Sequence, residues 1–393
     1  MTALYVHVPF CVKKCPYCAF YSVALAPNGK EDKNRSVLIR KYLEGIRKEI
    51  SLRRQDAPGG VSSLFIGGGT PSVLDEGELK ELLILIGEIA GRNDGRTERT
   101  IECNPGTINE KKAQILQAFG INRVSLGVQA LDDGFLKEIG RIHGVKQVEE
   151  AVKIIRGAGI DNLNLDLMFG LPGQTMEKWF ETLEKAIAFK PQHLSLYALT
   201  LEEETPFGRE YGSDGAGKAN VCLPDDDLQA DMYEGAVELL ETAGYARYEI
   251  SNFALPGYEC RHNLSYWRGD QYLGLGPGAV SCLKGVRSKN IDSLDQYNLN
   301  LAEGYARQAQ AEDREYLTEE QMISEFMMLG LRTAEGIAFE TFYGKFQRNI
   351  EDIYREFLAE YMQKGYLLAD HGRLKLNPQY FFVANAVLTK FML

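Results

Sequence analysis

The sequence predicts an α/β fold, a parallel βα part-barrel with an additional C-terminal, mainly helical, winged-helix-like domain. Three observations predict it. Strand-like apolar runs alternate with 3.6-period amphipathic segments through the first half of the chain. The units recur every ~30 to 40 residues, the spacing of βα pairs. Unusual residues fall at or just past strand C-termini, where barrel-type enzymes place their chemistry. A doubly wound sheet fits the alternation almost as well; the placement of those residues favours the barrel.

Strands are expected over residues 4–10, 63–66, 100–103, 123–128, 163–169 and 193–199. Between them, residues 36–54 carry Val37, Leu38, Tyr42, Leu43, Ile46 and Ile50 on one side. The segment 75–90 opens on Asp75 as N-cap, and 109–119 stops at Gly120. Residues 146–156 end at Gly157, and 176–189 stop before Pro191. Beyond residue 200 the alternation weakens. Residues 205–224 read as a polar loop or lid, 225–243 as a helix ended by Gly244, and 248–280 as short strands and loops rich in aromatics. The tail from 317 has two or three helices and then a hairpin turning at residues 370–372. The expected domains are 1–205 (barrel core), 206–308 (barrel extension) and 309–393 (C-terminal), with the last boundary in a charged stretch after Gln308.

Composition narrows function. The 393 residues are 45% apolar and 25% charged, enough for a sizeable core. Asp plus Glu outnumber Lys plus Arg 55 to 44, a net charge of -11. That disfavours nucleic acid as a partner, because phosphate contact needs clustered positive charge, and it demotes the wing-like tail to packing. No leader is visible before the first strand, and the longest apolar runs are about half a membrane span. A cytoplasmic protein without membrane insertion is expected.

Seven cysteines are too few for a disulfide scaffold. Three lie within eight residues, Cys11, Cys15 and Cys18, spaced C-x3-C-x2-C in the loop after the first strand. Three thiolates can grip three corners of an iron–sulfur cubane, which ordinarily takes four, leaving one iron open. Zinc would need a fourth Cys or His from elsewhere. Cys103, Cys222 and Cys282 read as buried small residues; His143, His193 and His371 carry no independent signal.

The cysteine spacing, followed by Gly67-Gly68-Gly69-Thr70-Pro71, resembles the radical S-adenosylmethionine (SAM) superfamily. Nearly the whole chain is similar to its coproporphyrinogen-oxidase-like group, through Tyr5-Val-His7-Val-Pro-Phe, Glu102-Cys-Asn104-Pro105, Arg123-Val-Ser-Leu-Gly127-Val-Gln129, Gly140-Arg141-Ile-His143 and Asp166-Leu-Met-Phe-Gly170-Leu-Pro172-Gly-Gln-Thr175. The resemblance implies a radical SAM partial (β/α)6 barrel and a [4Fe-4S] cluster on Cys11, Cys15 and Cys18, with SAM chelating the open iron. It implies that Tyr5, Gly68 and Glu102 contact this SAM. Gly69, Thr70, Gln129, Arg141 and Asp166 would contact a second, whose site Thr200 and Val280 would also line. Two details divide the group. Position 20 is Phe, where the oxidases carry a further Cys, and Arg261-His262-Asn263-Leu-Ser-Tyr266-Trp267 resembles the H-N-x-x-Y-W signature of a haem-chaperone branch. The oxidases also have an extension ahead of the position of Tyr5. Ala19 departs from the chaperone pattern, in which Asp is common. This branch implies haem as cargo, haem-accepting respiratory proteins as partners, a homodimer, and His262 as a haem contact, with Cys260 as a second candidate ligand. Against this stands a core aromatic pair with a hydrogen-bonded His. No catalytic residue is assigned. The alternatives are an oxygen-independent coproporphyrinogen III oxidase and a haem-degrading radical methyltransferase.

Overall fold

The computed structural model describes residues 2–26, 34–58, 60–91, 95–212, 222–304 and 314–393. Six strands form the parallel core: β1 (Thr2–Val8), β2 (Val61–Gly68), β3 (Glu98–Cys103), β4 (Arg123–Gln129), β5 (Asn162–Phe169) and β6 (His193–Ala198). They pair side by side in sequence order, and each coincides with an expected run. With helices outside and the barrel interior on the other face, such strands are expected to be apolar nearly throughout; β4 is buried at six consecutive positions.

Helices α1 (Arg35–Arg53), α2 (Glu76–Ala90), α3 (Glu110–Ala118), α4 (Asp133–Glu138), α5 (Val145–Gly157) and α6 (Met176–Ala188) lie between the strands. Local chemistry sets their starts. Asp75 accepts from the N–H of Glu78 while the Glu78 carboxylate returns to the N–H of Asp75, a capping box. Asn109 and Thr175 cap α3 and α6 in the simpler way.

The barrel extension departs furthest from the sequence pattern. Within the expected loop, α7 (Pro206–Tyr211) forms behind a Thr205 cap; residues 213–221 lie outside the described residues. α8 (Asp226–Thr242) follows, and β7 (Asn252–Ala254) pairs antiparallel with β6. α9 (Arg261–Trp267) forms where loops and short strands were expected. β8 (Tyr272–Leu275) then enters the sheet parallel to β1, on the side away from β2, a seventh parallel strand. β9 (Val280–Leu283), β10 (Val286–Lys289) and β11 (Arg314–Tyr316) continue that edge antiparallel, and α10 (Leu294–Ala302) packs on α1. The charged stretch expected to hold the last boundary falls largely on residues 305–313, outside the described residues.

The C-terminal part contains α11 (Glu319–Gly330), α12 (Phe339–Phe346), α13 (Ile350–Gln363) and α14 (Ala384–Leu388). Its wing is the hairpin β13 (Leu367–Asp370) and β14 (Arg373–Leu376), with β12 (Ile337–Ala338) beside β14. The expected turn is there, with His371 and Gly372 both at positive φ.

Candidate functional site

At the C-terminal end of the parallel strands lies a cavity of about 390 Å³. Cys11 closes the two-residue strand Phe10–Cys11, and Cys15 and Cys18 follow in the loop. All three thiols are free, half-buried and line this one cavity. Burial pushes the Cys11 and Cys18 thiols up. The Thr70 hydroxyl donates to the Cys11 Sγ at 3.7 Å, and the Arg141 guanidinium to the Cys15 Sγ at 3.5 Å. Helix α7 buttresses the loop from outside: the N–H of Phe207 bonds the Pro16 carbonyl, and its ring packs on Tyr17. Among the described residues no three His, Cys, Asp or Glu groups are arranged to hold a metal ion. Three thiols lining one cavity suit a cluster instead, because each thiolate then binds its own iron.

The glycine turn is explained by close packing of chain on chain. Gly68 has φ +108, and a Cβ there would lie 2.5 Å from the His7 ring; one on Gly69 would lie 2.5 Å from the Phe10 carbonyl oxygen. Only glycines let this turn press against the cysteine strand. The Gly68 N–H donates to Glu102 at 3.0 Å. Burial, and then the charge of Asp166, push the Glu102 carboxyl up to about 8. Asp166 accepts from Ser125 at 2.9 Å and Asn164 at 2.8 Å, and burial raises its pKa too. Gln129 ends β4 at φ +69.

Of the expected residues, Gly68, Gly69, Thr70, Glu102, Gln129, Arg141 and Asp166 line the cavity with the three cysteines. Arg141 is less free than a ligand clamp requires: it donates to Asn104 at 2.6 Å and the Gly127 carbonyl at 2.7 Å. Its Nε is buried without a partner. Tyr5 and Val280 line an adjoining cavity with His7, Phe20 and Tyr21. Thr200 is exposed, its hydroxyl on the Ala198 carbonyl, and does not line the cysteine cavity. Asn104, Ser125 and Tyr197 also line it without an assigned role; Asn104 and Ser125 fall in the quoted motif runs, whereas Tyr197 has only its place near a strand end as a signal.

The signature around His262 lies elsewhere, on α9, which plugs the barrel where β2 and β3 begin. Glu98, at the start of β3, accepts from the N–H groups of Arg261 at 3.1 Å and His262 at 3.0 Å and from the Cys260 thiol. His262 is 1% exposed. Its Nδ1 meets the Ser63 hydroxyl at 2.9 Å and its Nε2 the Tyr266 hydroxyl at 3.1 Å. Burial, with the charge of Arg123, lowers its pKa to about 3. Both ring nitrogens are engaged within the chain, the arrangement of the alternative reading, a hydrogen-bonded histidine beside core aromatics. Cys260 is buried as well. Of the cysteines expected to be buried, Cys103 is, Cys282 is half-buried and Cys222 is exposed.

Residues 5–186 match the Radical SAM superfamily and residues 317–382 the HemN C-terminal domain. The structure is similar to that of the coproporphyrinogen III oxidase HemN from Escherichia coli, described as a radical SAM enzyme, with a TM-score of 0.83 over 100% of this chain and 90% of that one at 23% identity. These matches define a radical SAM protein with a HemN-type C-terminal domain, as its motifs implied. Among curated relatives, the heme chaperone HemW of Lactococcus lactis is 36% identical over 99% of this chain and 97% of its own. That of Bacillus subtilis is 33% identical over 100% and 99%, and that of Escherichia coli 35% over 95% and 96%. The chain belongs to the HemW family.

Proposed function

We propose that the protein is a haem chaperone: it holds a [4Fe-4S] cluster on Cys11, Cys15 and Cys18, binds SAM beside it, and carries haem to respiratory-chain proteins. The observation that carries this reading is end-to-end similarity to heme chaperones, on a chain with Phe20 in place of an oxidase cysteine. Cys11, Cys15 and Cys18 would hold the cluster, which when bound would supply one-electron reducing chemistry to the SAM beside it. The chain's part is to bind and orient. Glu102, Asp166, Gln129 and Gly69 offer acceptors and donors for amino, carboxylate and ribose groups, and Thr70 and Arg141 hydrogen-bond the sulfurs, which tunes a cluster. A cytoplasmic location and a homodimer complete the proposal; among the described residues no helix is long and apolar enough to cross a membrane.

The likeness to HemN establishes fold alone, so coproporphyrinogen oxidation is the competing reading. Anaerobically reconstituted protein is expected to bind haem and, with SAM and reductant, to leave coproporphyrinogen III unchanged. Formation of protoporphyrinogen IX, followed by chromatography, would overturn the proposal.

A further inference from the structure

A second, larger cavity of about 570 Å³ lies between the β8–β10 edge and the helices α11 and α12. That volume falls in the range of small-molecule sites. Its floor is apolar, from Leu317, Met322, Phe326, Met328 and Leu329. Cations stand at its margin. Arg287 is committed to Glu315 at 2.8 Å and Glu325 at 2.6 Å. Lys345 lies 4.6 Å over the Phe326 ring and donates only to the Gly269 carbonyl at 3.0 Å. Lys284 is exposed and has no acidic partner among the described residues. The carboxylates of Asp270 and Glu325 also line the slot, Glu325 bonded to Arg287, but among the described residues neither forms an ion pair with Lys284 or Lys345.

One wall is aromatic. Tyr266 and Tyr272 meet edge to face, centroids 4.8 Å apart, and both also line the cavity that holds Tyr5 and His7. That cavity in turn shares Phe20 with the cysteine cavity. The three cavities therefore run in series, and the signature residue Tyr266, held by His262, is the wall between two of them.

A ligand matching this slot is flat and apolar with carboxylates at one edge, so that rings lie on the tyrosines and acids meet the lysines in charge-assisted hydrogen bonds. We propose that this interdomain cavity seats the haem cargo, with its propionates at Lys284 and Lys345 and its ring against Tyr266 and Tyr272. The assignment rests on the chaperone reading above.

Its test is haem titration of the full-length, cluster-loaded protein, followed in the Soret band, against iron protoporphyrin dimethyl ester, which lacks the propionate charges. Lys284→Glu with Lys345→Glu is expected to weaken haem binding at least about ten-fold, the effect of losing one charge-assisted bond, and to leave the ester unaffected. Met328→Trp, which fills the slot, is expected to block both ligands. Undiminished haem binding in either variant overturns the cavity assignment alone, as does parallel loss of haem and ester in the charge-reversed protein. A parent protein that binds no haem sinks the chaperone reading and the assignment with it.

Discussion

Glu102, half-buried at the cavity wall and facing Asp166, sits where a carboxylate is hard to charge, with the Gly68 N–H as its compensation. In the folded chain it keeps its proton up to about 8, whereas the unfolded chain gives it up near 4.5. The unfolded state therefore binds fewer protons across that window, and the site loses stability as pH rises through it. Glu102→Gln removes this titration. Thermal melts from pH 4.5 to 8 are expected to show the variant gaining progressively on the parent, then a constant difference above; a pH-independent difference would count against a protonated Glu102. A neutral acid here also has a chemical use, since it can donate to a ligand oxygen or, once ionised, accept from an amine. Asn104 shows a different residue-scale economy: its oxygen accepts from Arg141 and its amide donates to Thr70, tying together the two groups that touch Cys15 and Cys11.

Helix α9 is short and opens without a side-chain cap of its own. Its first N–H groups are satisfied by Glu98, from a strand far earlier in the chain. Glu98→Ala leaves those donors and the nearby buried Arg123 uncompensated and is expected to cost about 2–4 kcal/mol in denaturant unfolding. A loss within about 0.5 kcal/mol would mean that water replaces the carboxylate. The same geometry explains what the sequence concealed. The six core strands and helices α1, α2, α3, α5 and α6 were legible because each carries a long apolar period and, in α2, α3 and α6, its own cap; α4, six residues long, was not. The cysteine loop was legible from spacing. α9 was not, since its cap is remote and its seven residues are too few to show a period. For the same reason the partners of His262, Ser63 and Tyr266 on either side of its ring, could not be read from the motif. β8 to β10, each four residues long, gave too little alternation to separate strand from loop.

At the scale of the molecule, the C-terminal domain is fastened to the barrel at separate points. Arg247 stacks 4.4 Å over Phe381 and bonds the Pro378 carbonyl. Arg332 lies over Trp267, and the Ala334 N–H reaches the Tyr248 carbonyl. Arg247→Ala is expected to cost about 1–2 kcal/mol and to quicken limited proteolysis ahead of the C-terminal domain; unchanged cleavage would show that the other contacts suffice. The helix before the wing, α13, holds Glu351, Asp352, Glu356 and Glu360 against Arg355, a face that repels a phosphate backbone. One pairing reaches further than stability. β1 has β2 on one side, but its other side is completed by β8, Ala3 pairing with Tyr272. While the chain is being made, the first strand therefore keeps an open, apolar edge until residues beyond 270 have left the ribosome. Such an edge is a template for wrong partners, and closure across so long a separation is slow. Biosynthesis, rather than the finished fold, is where this protein is most exposed to aggregation.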